Sequence, residues 1–558
     1  MTDPAPSYMH GASGQPMIGD TIGIHFDRTV ARHGNRPGLI VRQQGINWTW
    51  SELAAHVDAF AAGLVALGLQ PGDRIGIWSP NNAEWIVTQY ATAKAGLILV
   101  NINPAYRLSE LEYALNKVDC KALITATRFK TSDYVGMINT LAPELAISRP
   151  GDLHAEKLPA LRSVIQIGGD DSGTFAFEKI AHHGRAVDRQ RLADLAPLLQ
   201  FDDPINVQFT SGTTGLPKGA TLTHHNILNN GFFIGELLHY TERDAVCVPV
   251  PMYHCFGMVI GSLACMSHGA AIVFPGEGFD PLATLQTVAE YRCTSLYGVP
   301  TMFIAELDHP DFAKYDLTSL RTGMMAGSPC PAEIMRRCIR DMHLTEITIG
   351  YGMTETSPVS TQTRIGDSLD KQVATVGRPH PHVEVKIIDA DGRIVPRGVT
   401  GEFCTRGYPV MLGYWDEPEL TAEAIDQAGW MHTGDLATMD EDGYCAIVGR
   451  IKDLVIRGGE NVYPREVEEF LYRHPAIVDV QVFGVPDQRF GEELCAWIKL
   501  RAGETLTEDD VKAFCKDQIA HYKVPRYVRF VAEFPMTVTG KMQKYLMRAT
   551  MTKELGLN

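Results

Sequence analysis

The sequence predicts an α/β protein: a large N-terminal domain of helix-covered sheets plus a small β-barrel-like unit, with a separate small α+β C-terminal domain. Three observations lead there. A chain of 558 residues exceeds what one ordinary core organises. Its N-terminal third alternates short apolar runs with helical periodicity, and strand–helix–strand repetition implies a parallel sheet covered on both faces. From about Val373 the pattern turns to short strands and turns, and it changes again after Arg450. The boundary is expected near residues 449 to 453, dividing an N-terminal unit, 1–450, from a C-terminal unit, 451–558.

Leu39-Ile40-Val41 and Asn47-Trp48 flank a Gln-Gly turn and predict a hairpin. Thr49 and Glu52 then form the capping-box signature of a helix. Along that helix Leu53, Val57, Phe60, Leu64 and Leu67 recur at spacings of four and three, which places them on one face. A strand from Arg74 to Trp78, a helix near Ala83 to Lys94, a strand from Leu97 to Asn101, a helix near Ser109 to Lys117 and a strand from Ala122 to Thr125 follow. The β unit is read from Val383 to Ile388, the Asp391-Gly392 turn and Glu402-Phe403-Cys404. In the tail, Pro464 can open a helix, with Val467, Phe470 and Leu471 as its buried stripe. Strands near Val478 to Phe483, Leu494 to Leu500 and Tyr527 to Val531 complete that unit.

Apolar content of 45% and charged content of 21% are those of a soluble globular protein. A net charge of −16 argues against nucleic-acid or anionic-membrane partners, which need basic surface. The eleven cysteines run from Cys120 to Cys515 without a C-x-x-C pair, which suggests free thiols in a reducing compartment. Met-Thr-Asp-Pro-Ala-Pro lacks the basic start and apolar stretch of a signal peptide. Gly257 to Phe274, the most apolar long stretch, is interrupted by Ser262, Ser267, His268 and glycines, so a buried strand–helix segment is expected rather than a membrane span. A cytoplasmic protein without a transmembrane segment is the expectation. A homodimer is compatible with the sequence, but oligomeric state is not read from it.

The most informative stretch is Thr210-Ser211-Gly212-Thr213-Thr214-Gly215-Leu216-Pro217-Lys218-Gly219. Glycines let backbone N–H groups converge on an anion, hydroxyls add donors, and Lys218 adds a full charge. It is not a Walker A loop, because Lys218 is followed by Gly219 rather than Ser or Thr. A Gly/Ser/Thr run is usually a flexible linker. The Pro-Lys-Gly ending and the apolar flanks, Ile205 to Phe209 and Ala220 to Thr223, set this one apart as a polyphosphate clamp. In Gly350-Tyr351-Gly352-Met353-Thr354-Glu355, two glycines bracket a ring that can lie flat on a purine, and an acid follows. Asp435, in Thr433-Gly434-Asp435, offers a carboxylate to two neighbouring hydroxyls, although such turns are common without any ligand.

Together with Gly449-Arg450-Ile451-Lys452-Asp453, Gly458-Gly459-Glu460-Asn461 and Thr537-Val538-Thr539-Gly540-Lys541, these blocks resemble, in order over roughly residues 200 to 545, those of the adenylate-forming acyl-CoA synthetases. The resemblance implies ATP, Mg²⁺ and CoA as cofactor and co-substrates, and a fatty acid as the carboxylate. It implies a phosphate loop from Thr210 to Gly215 with Lys218, an adenine side at Gly327, Ser328, Tyr351, Gly352 and Thr354, and Mg²⁺ held by Glu355 and Thr210. It further implies ribose contacts at Asp435 and Arg450, a pantetheine channel edged by Gly458 and Gly459, a pivot at Lys452, and Lys541 as the adenylation lysine. His254 matches an aromatic gate and is expected as a pocket wall, since a lone histidine among apolar residues is rarely a general base. No zinc-protease or serine-hydrolase motif is present.

The chemistry so implied is carboxylate activation, in which two anions must be brought together before the carboxylate attacks the α-phosphate. Family members using acetate carry a tryptophan where this chain has Gly352, so an open acyl pocket and a medium-chain or longer fatty acid are expected. Ile349 departs from the polar residue frequent in aromatic-acid ligases. The alternatives are a ligase for an aromatic or other non-fatty acid, and a non-catalytic nucleotide-binding protein.

Overall fold

A computed structural model describes residues 5–210, 217–328, 330–458, 460–516, 518–537 and 542–557. The hairpin forms as predicted, Pro37–Val41 against Ile46–Thr49, and Thr49 closes a capping box with Glu52 on the helix Trp50–Ala66. Leu53, Val57, Phe60 and Leu64 are buried on that helix, and Leu67 is half-buried at its C-cap. Arg74–Trp78, Ala83–Lys94, Ile98–Asn101, Leu108–Lys117 and Ala122–Ala126 follow the predicted alternation.

Two large sheets result. The first has eight strands in the order Phe175–Ala176, Ser163–Ile167, Ala122–Ala126, Arg74–Trp78, Ile98–Asn101, Pro204–Thr210, Lys218–Thr223 and Gly413–Tyr414. It is parallel as far as Pro204–Thr210 and antiparallel for the last two. The second has nine strands, with a parallel centre running from Glu346–Gly352 through Thr322–Ala326, Ser295–Gly298, Ala245–Cys247 and Ala271–Phe274 to Pro37–Val41. The N-terminal hairpin thus edges the second sheet, although the strands that follow it in sequence build the first. Between the sheets lies the largest core, into which Trp50, Phe60, Trp85, Tyr90, Ile234 and Leu263 pack.

The long apolar stretch is helical first and extended second: Phe256–Leu263 is π-helical, Ala264–His268 α-helical and Ala271–Phe274 a strand. No helix among the described residues is long and apolar enough to cross a membrane. All eleven cysteines are buried and none is disulfide-bonded.

The β unit is a five-stranded antiparallel sheet, Tyr8–His10, Val383–Ile388, Gly401–Gly407, Met431–Met439 and Cys445–Arg450, to which the N-terminus contributes an edge strand that the sequence did not announce. Beyond Arg450, Pro464–Leu471 is a helix with proline in its first turn, and Val467 and Leu471 are buried while Phe470 packs half-exposed. Ile477–Asp487, Gly491–Leu500 and Tyr527–Phe530 form the sheet beneath it, joined by Val455–Arg457 and Glu460–Val462.

Candidate active site

Thr210, Lys218, Tyr351, Glu355, Asp435 and Arg450 lie on strands of the two large sheets and of the β unit or just beyond one. Thr210 closes one strand and Lys218 opens the next, and the two are direct cross-strand partners, so the glycine-rich segment connects a hairpin. Ser211, Gly212, Thr213, Thr214 and Gly215 lie outside the described residues, as do Gly459 and Lys541. Ala326 and Gly350 are neighbours on parallel strands, so Gly327 and Ser328 leave the sheet beside Tyr351. Crevices at the carboxyl ends of parallel strands are the usual ligand positions in such sheets. A positive φ of 88° at Gly327 makes the sharp exit that a side chain would strain.

Glu355 sits in a one-turn 3₁₀ helix, Thr354–Thr356, and is 5% exposed. Its Oε1 accepts hydrogen bonds from Thr210 Oγ1 at 3.3 Å and from the Tyr414 hydroxyl at 3.0 Å. Lys218 Nζ lies 4.9 Å from the centre of the Tyr414 ring, a cation–π distance. Tyr414 was not anticipated. It is 59 residues from Glu355 in sequence, and no spacing or composition signal marks it. Burial, reinforced by the Glu355 charge, pushes the Tyr414 phenol far up, so it remains a donor. The donors gathered here, one carboxylate and two hydroxyls, are the hard oxygens Mg²⁺ favours, and the set fits that ion.

The second cluster surrounds Asp435. Its Oδ2 accepts from the Tyr351 hydroxyl at 2.6 Å, and its Oδ1 accepts from Arg450 Nε at 3.0 Å. Asp435 and Arg450 are register partners on adjacent antiparallel strands, which is why residues 15 apart meet. Each carboxylate oxygen keeps about one further acceptor position, enough for two vicinal hydroxyls. Burial and the Asp435 charge push the Tyr351 phenol well up, so it donates at any working pH. The ring also meets Phe403 edge-on, with centroids 5.0 Å apart.

One short segment joins the two clusters. Tyr351 reaches Asp435 while Glu355, four residues on, reaches Thr210 and Tyr414. Four residues extend at most about 14 Å, so the backbone holds the two clusters within that reach of each other. Gly352 lies between them. A methyl group on its Cα would sit 1.8 Å from the Pro358 carbonyl oxygen, where strand pairing shifts register. Close backbone approach therefore requires glycine at this position. A tryptophan here would displace the Pro358 backbone before it filled any cavity.

His254 precedes the π-helical turn, and its Nδ1 accepts the Phe256 N–H at 3.1 Å. The next residue, Cys255, donates to Gln208 Oε1 at 2.9 Å, and Gln208 donates on to Asn206 Oδ1 at 2.9 Å. Burial pushes the Cys255 thiol up to about 12, against an opposing Thr354 hydrogen bond and with a contribution from the Glu355 charge. This buried polar row anchors the His254 segment beside Thr354 and Glu355. Lys452 lies in the 3₁₀ turn Ile451–Asp453, and the Gly458 N–H donates to Phe490 O at 2.8 Å at the end of Val455–Arg457.

Comparison with known proteins gives the family and the fold. Residues 26–415 match the family described as AMP-binding enzyme, and residues 466–541 match the AMP-binding enzyme C-terminal domain. The chain is 48% identical over 554 residues to the mitochondrial medium-chain acyl-CoA ligase ACSF2 of Danio rerio, covering 99% of this chain and 91% of that protein. It is 48% identical to YngI of Bacillus subtilis (strain 168), an acyl-CoA synthetase candidate, over 95% of this chain and 97% of that one. Among solved structures, the anthranilate CoA ligase AuaEII in complex with anthranoyl-AMP superposes with a TM-score of 0.85 at 26% identity, over 97% of this chain and 99% of the other.

Proposed function

Since the chain belongs to the AMP-binding enzymes and is an AMP-forming acyl-CoA ligase, we propose that its acyl substrates are medium-chain fatty acids and that the two clusters joined by Tyr351–Glu355 hold ATP. The carboxylate attacks the α-phosphate and pyrophosphate leaves; the CoA thiol then attacks the acyl-adenylate and AMP leaves. In our reading Asp435 accepts the ribose hydroxyls, with Tyr351 and Arg450 fixing its two oxygens. Thr210, Lys218 and the glycine-rich segment between them take the phosphates. Mg²⁺, when bound, would be held by Glu355 with Thr210 alongside and would offset the negative charge of the reacting anions. Lys541 completes the adenylation site.

The observation that carries the ATP placement is that one segment ties the carboxylate beside Lys218 to the carboxylate beside Arg450. The chain-length reading rests on the likeness to a relative named as a medium-chain ligase and on Ile349, buried before the Gly-Tyr-Gly block. We read residues 1–450 and 451–558 as two domains and Lys452 as their pivot. This is supported by the separate family matches and by the C-terminal cores formed from residues beyond 454. The buried, unbonded thiols favour a reducing compartment, which we take to be the cytoplasm.

The test is pyrophosphate and acyl-CoA formation from ATP, Mg²⁺ and CoA over acids from C2 to C18 plus benzoate and anthranilate. The expected optimum in kcat/KM lies between about C6 and C12. An optimum at acetate or at an aromatic acid overturns the substrate reading and leaves the ligase assignment standing.

A further inference from the structure

Two strands of the β unit, Gly401–Gly407 and Met431–Met439, run antiparallel, with Cys404 opposite His432. Alternate residues of a strand share a face. Glu402 and Cys404 therefore project to one side while Phe403 enters the core on the other. Glu402 Oε2 lies 2.9 Å from His432 Nδ1, and Cys404 Sγ lies 3.7 Å from the same nitrogen. One ligand atom from each of the three falls within 4.8 Å of the others. Around tetrahedral Zn²⁺, bonds of about 2.3 Å to sulfur and about 2.0 Å to nitrogen and oxygen separate the ligand atoms by roughly 3.3–3.6 Å. The 2.9 and 3.7 Å edges straddle that range.

The surroundings fit a cation too. Asp426 Oδ2 stands 3.8 Å from Nε2, the imidazole nitrogen turned away from the other two groups. A carboxylate behind a ligating imidazole is the common outer-shell arrangement of zinc sites. Cys404 is fully buried, whereas the His432 and Glu402 side chains are 30% and 21% exposed, so an ion can enter from one side and leave a fourth position to water. Lys386, Cys404's register partner on the other flank, and Arg406, two residues beyond Cys404, are both turned onto Trp430, 4.5 Å from its ring, and Arg406 pairs with Glu384 at 2.6 Å.

We propose that Glu402, Cys404 and His432 form a binding site for a thiophilic divalent cation of the Zn²⁺ class, distinct from the oxygen-only set at Glu355. The donor chemistry separates the two: Mg²⁺ prefers hard oxygens and has little affinity for a thiolate–imidazole pair, whereas Zn²⁺ takes sulfur, nitrogen and oxygen together. The site adjoins the strand segment that carries Asp435. The Gly434 N–H donates to Glu402 Oε1 at 3.2 Å, so the same carboxylate faces both the cation position and that segment.

The full-length protein, freed of metal and held in millimolar Mg²⁺, is titrated with Zn²⁺ by calorimetry and with Co²⁺ by absorption. The expected result is one tight Zn²⁺ equivalent that excess Mg²⁺ does not displace, together with a thiolate-to-cobalt charge-transfer band. Cys404→Ser should abolish that band and weaken Zn²⁺ binding at least tenfold. Asp426→Asn, which changes no ligand, should weaken it about 10- to 100-fold. Circular dichroism establishes that each variant is folded, and His432→Gln serves if Cys404→Ser is not. Zn²⁺ affinity unchanged in a folded Cys404→Ser, a cobalt complex without the thiolate band, or displacement by Mg²⁺ each overturns the proposal.

Discussion

At the scale of single residues, Tyr414 does work that no motif predicted. Its hydroxyl donates to Glu355 Oε1 at 3.0 Å, and its ring lies under Lys218. Tyr414→Phe keeps the ring, and hence the cation–π contact, while deleting the donor. A hydrogen bond to a charged group contributes about 1.5–3 kcal/mol, so kcat/KM for ATP in pyrophosphate release should fall roughly 10- to 150-fold. A change within twofold would mean that the hydroxyl does not position the carboxylate. The corresponding experiment at Lys541 separates the half-reactions. Removing a charge that stabilises the adenylation transition state costs about 3–4 kcal/mol. Lys541→Ala should therefore lower ATP-dependent adenylation by two to three orders of magnitude while sparing thioester formation from supplied acyl-adenylate. Equal losses in both steps would remove Lys541 from its role.

At the scale of elements, the hairpin Glu346–Gly352 to Val359–Gln362 has no room for a side chain at its bulge. Its register shifts at Gly352, and the Pro358 carbonyl oxygen occupies the space a Cβ would need. Gly352→Ala must push one strand off the other, and forcing a group into a packed position costs about 1–3 kcal/mol. The melting temperature should drop by about 1–3 °C, and KM for ATP should rise because the neighbouring Tyr351 holds Asp435. An unchanged melting temperature would show that the bulge absorbs the methyl. The helix Trp50–Ala66 is the opposite case. Its capping box, hydrophobic stripe and hairpin entry were all legible, because each depends on residues within a few positions of one another.

At the scale of the whole molecule, buried histidines link the fold to acid. His224 opens the helix His224–Leu237 between the two large sheets, fully buried, with Nδ1 accepting the Ile22 N–H at 3.1 Å. Burial lowers its pKa to about 3, and burial lowers that of His380 well below the usual range, with Arg364 adding to the effect. The unfolded chain binds these protons near pH 6.5 and the folded one does not. Stability is thus fully present above about pH 6.5 and is lost as pH falls, by at most about 1.4 kcal/mol per unit for each group. His224→Asn can keep an acceptor for Ile22 without a titrating ring. Its melting temperature should fall less between pH 7 and pH 5 than that of the unaltered protein, measured by calorimetry. An equal fall would clear His224 as an acid-sensitive group.

What the sequence determined by itself was whatever local chemistry encodes. It specified the α/β class, the order of strands and helices, the caps and turns, and the blocks around Thr210, Glu355 and Asp435, because periodicity, capping and glycine-rich loops act over a few residues. Which strands pair was decided only in three dimensions. The N-terminal hairpin joins the second large sheet, Tyr8–His10 edges the β unit, and Gly413–Tyr414 closes the first sheet beside Lys218–Thr223. Those pairings brought Tyr414 to Glu355 and set Cys404 opposite His432. The same pairing made Gly352 a point of close backbone contact with Pro358. A strand's pattern states which face is buried but not which partner buries it, and partners tens to hundreds of residues away are chosen by packing of the whole core.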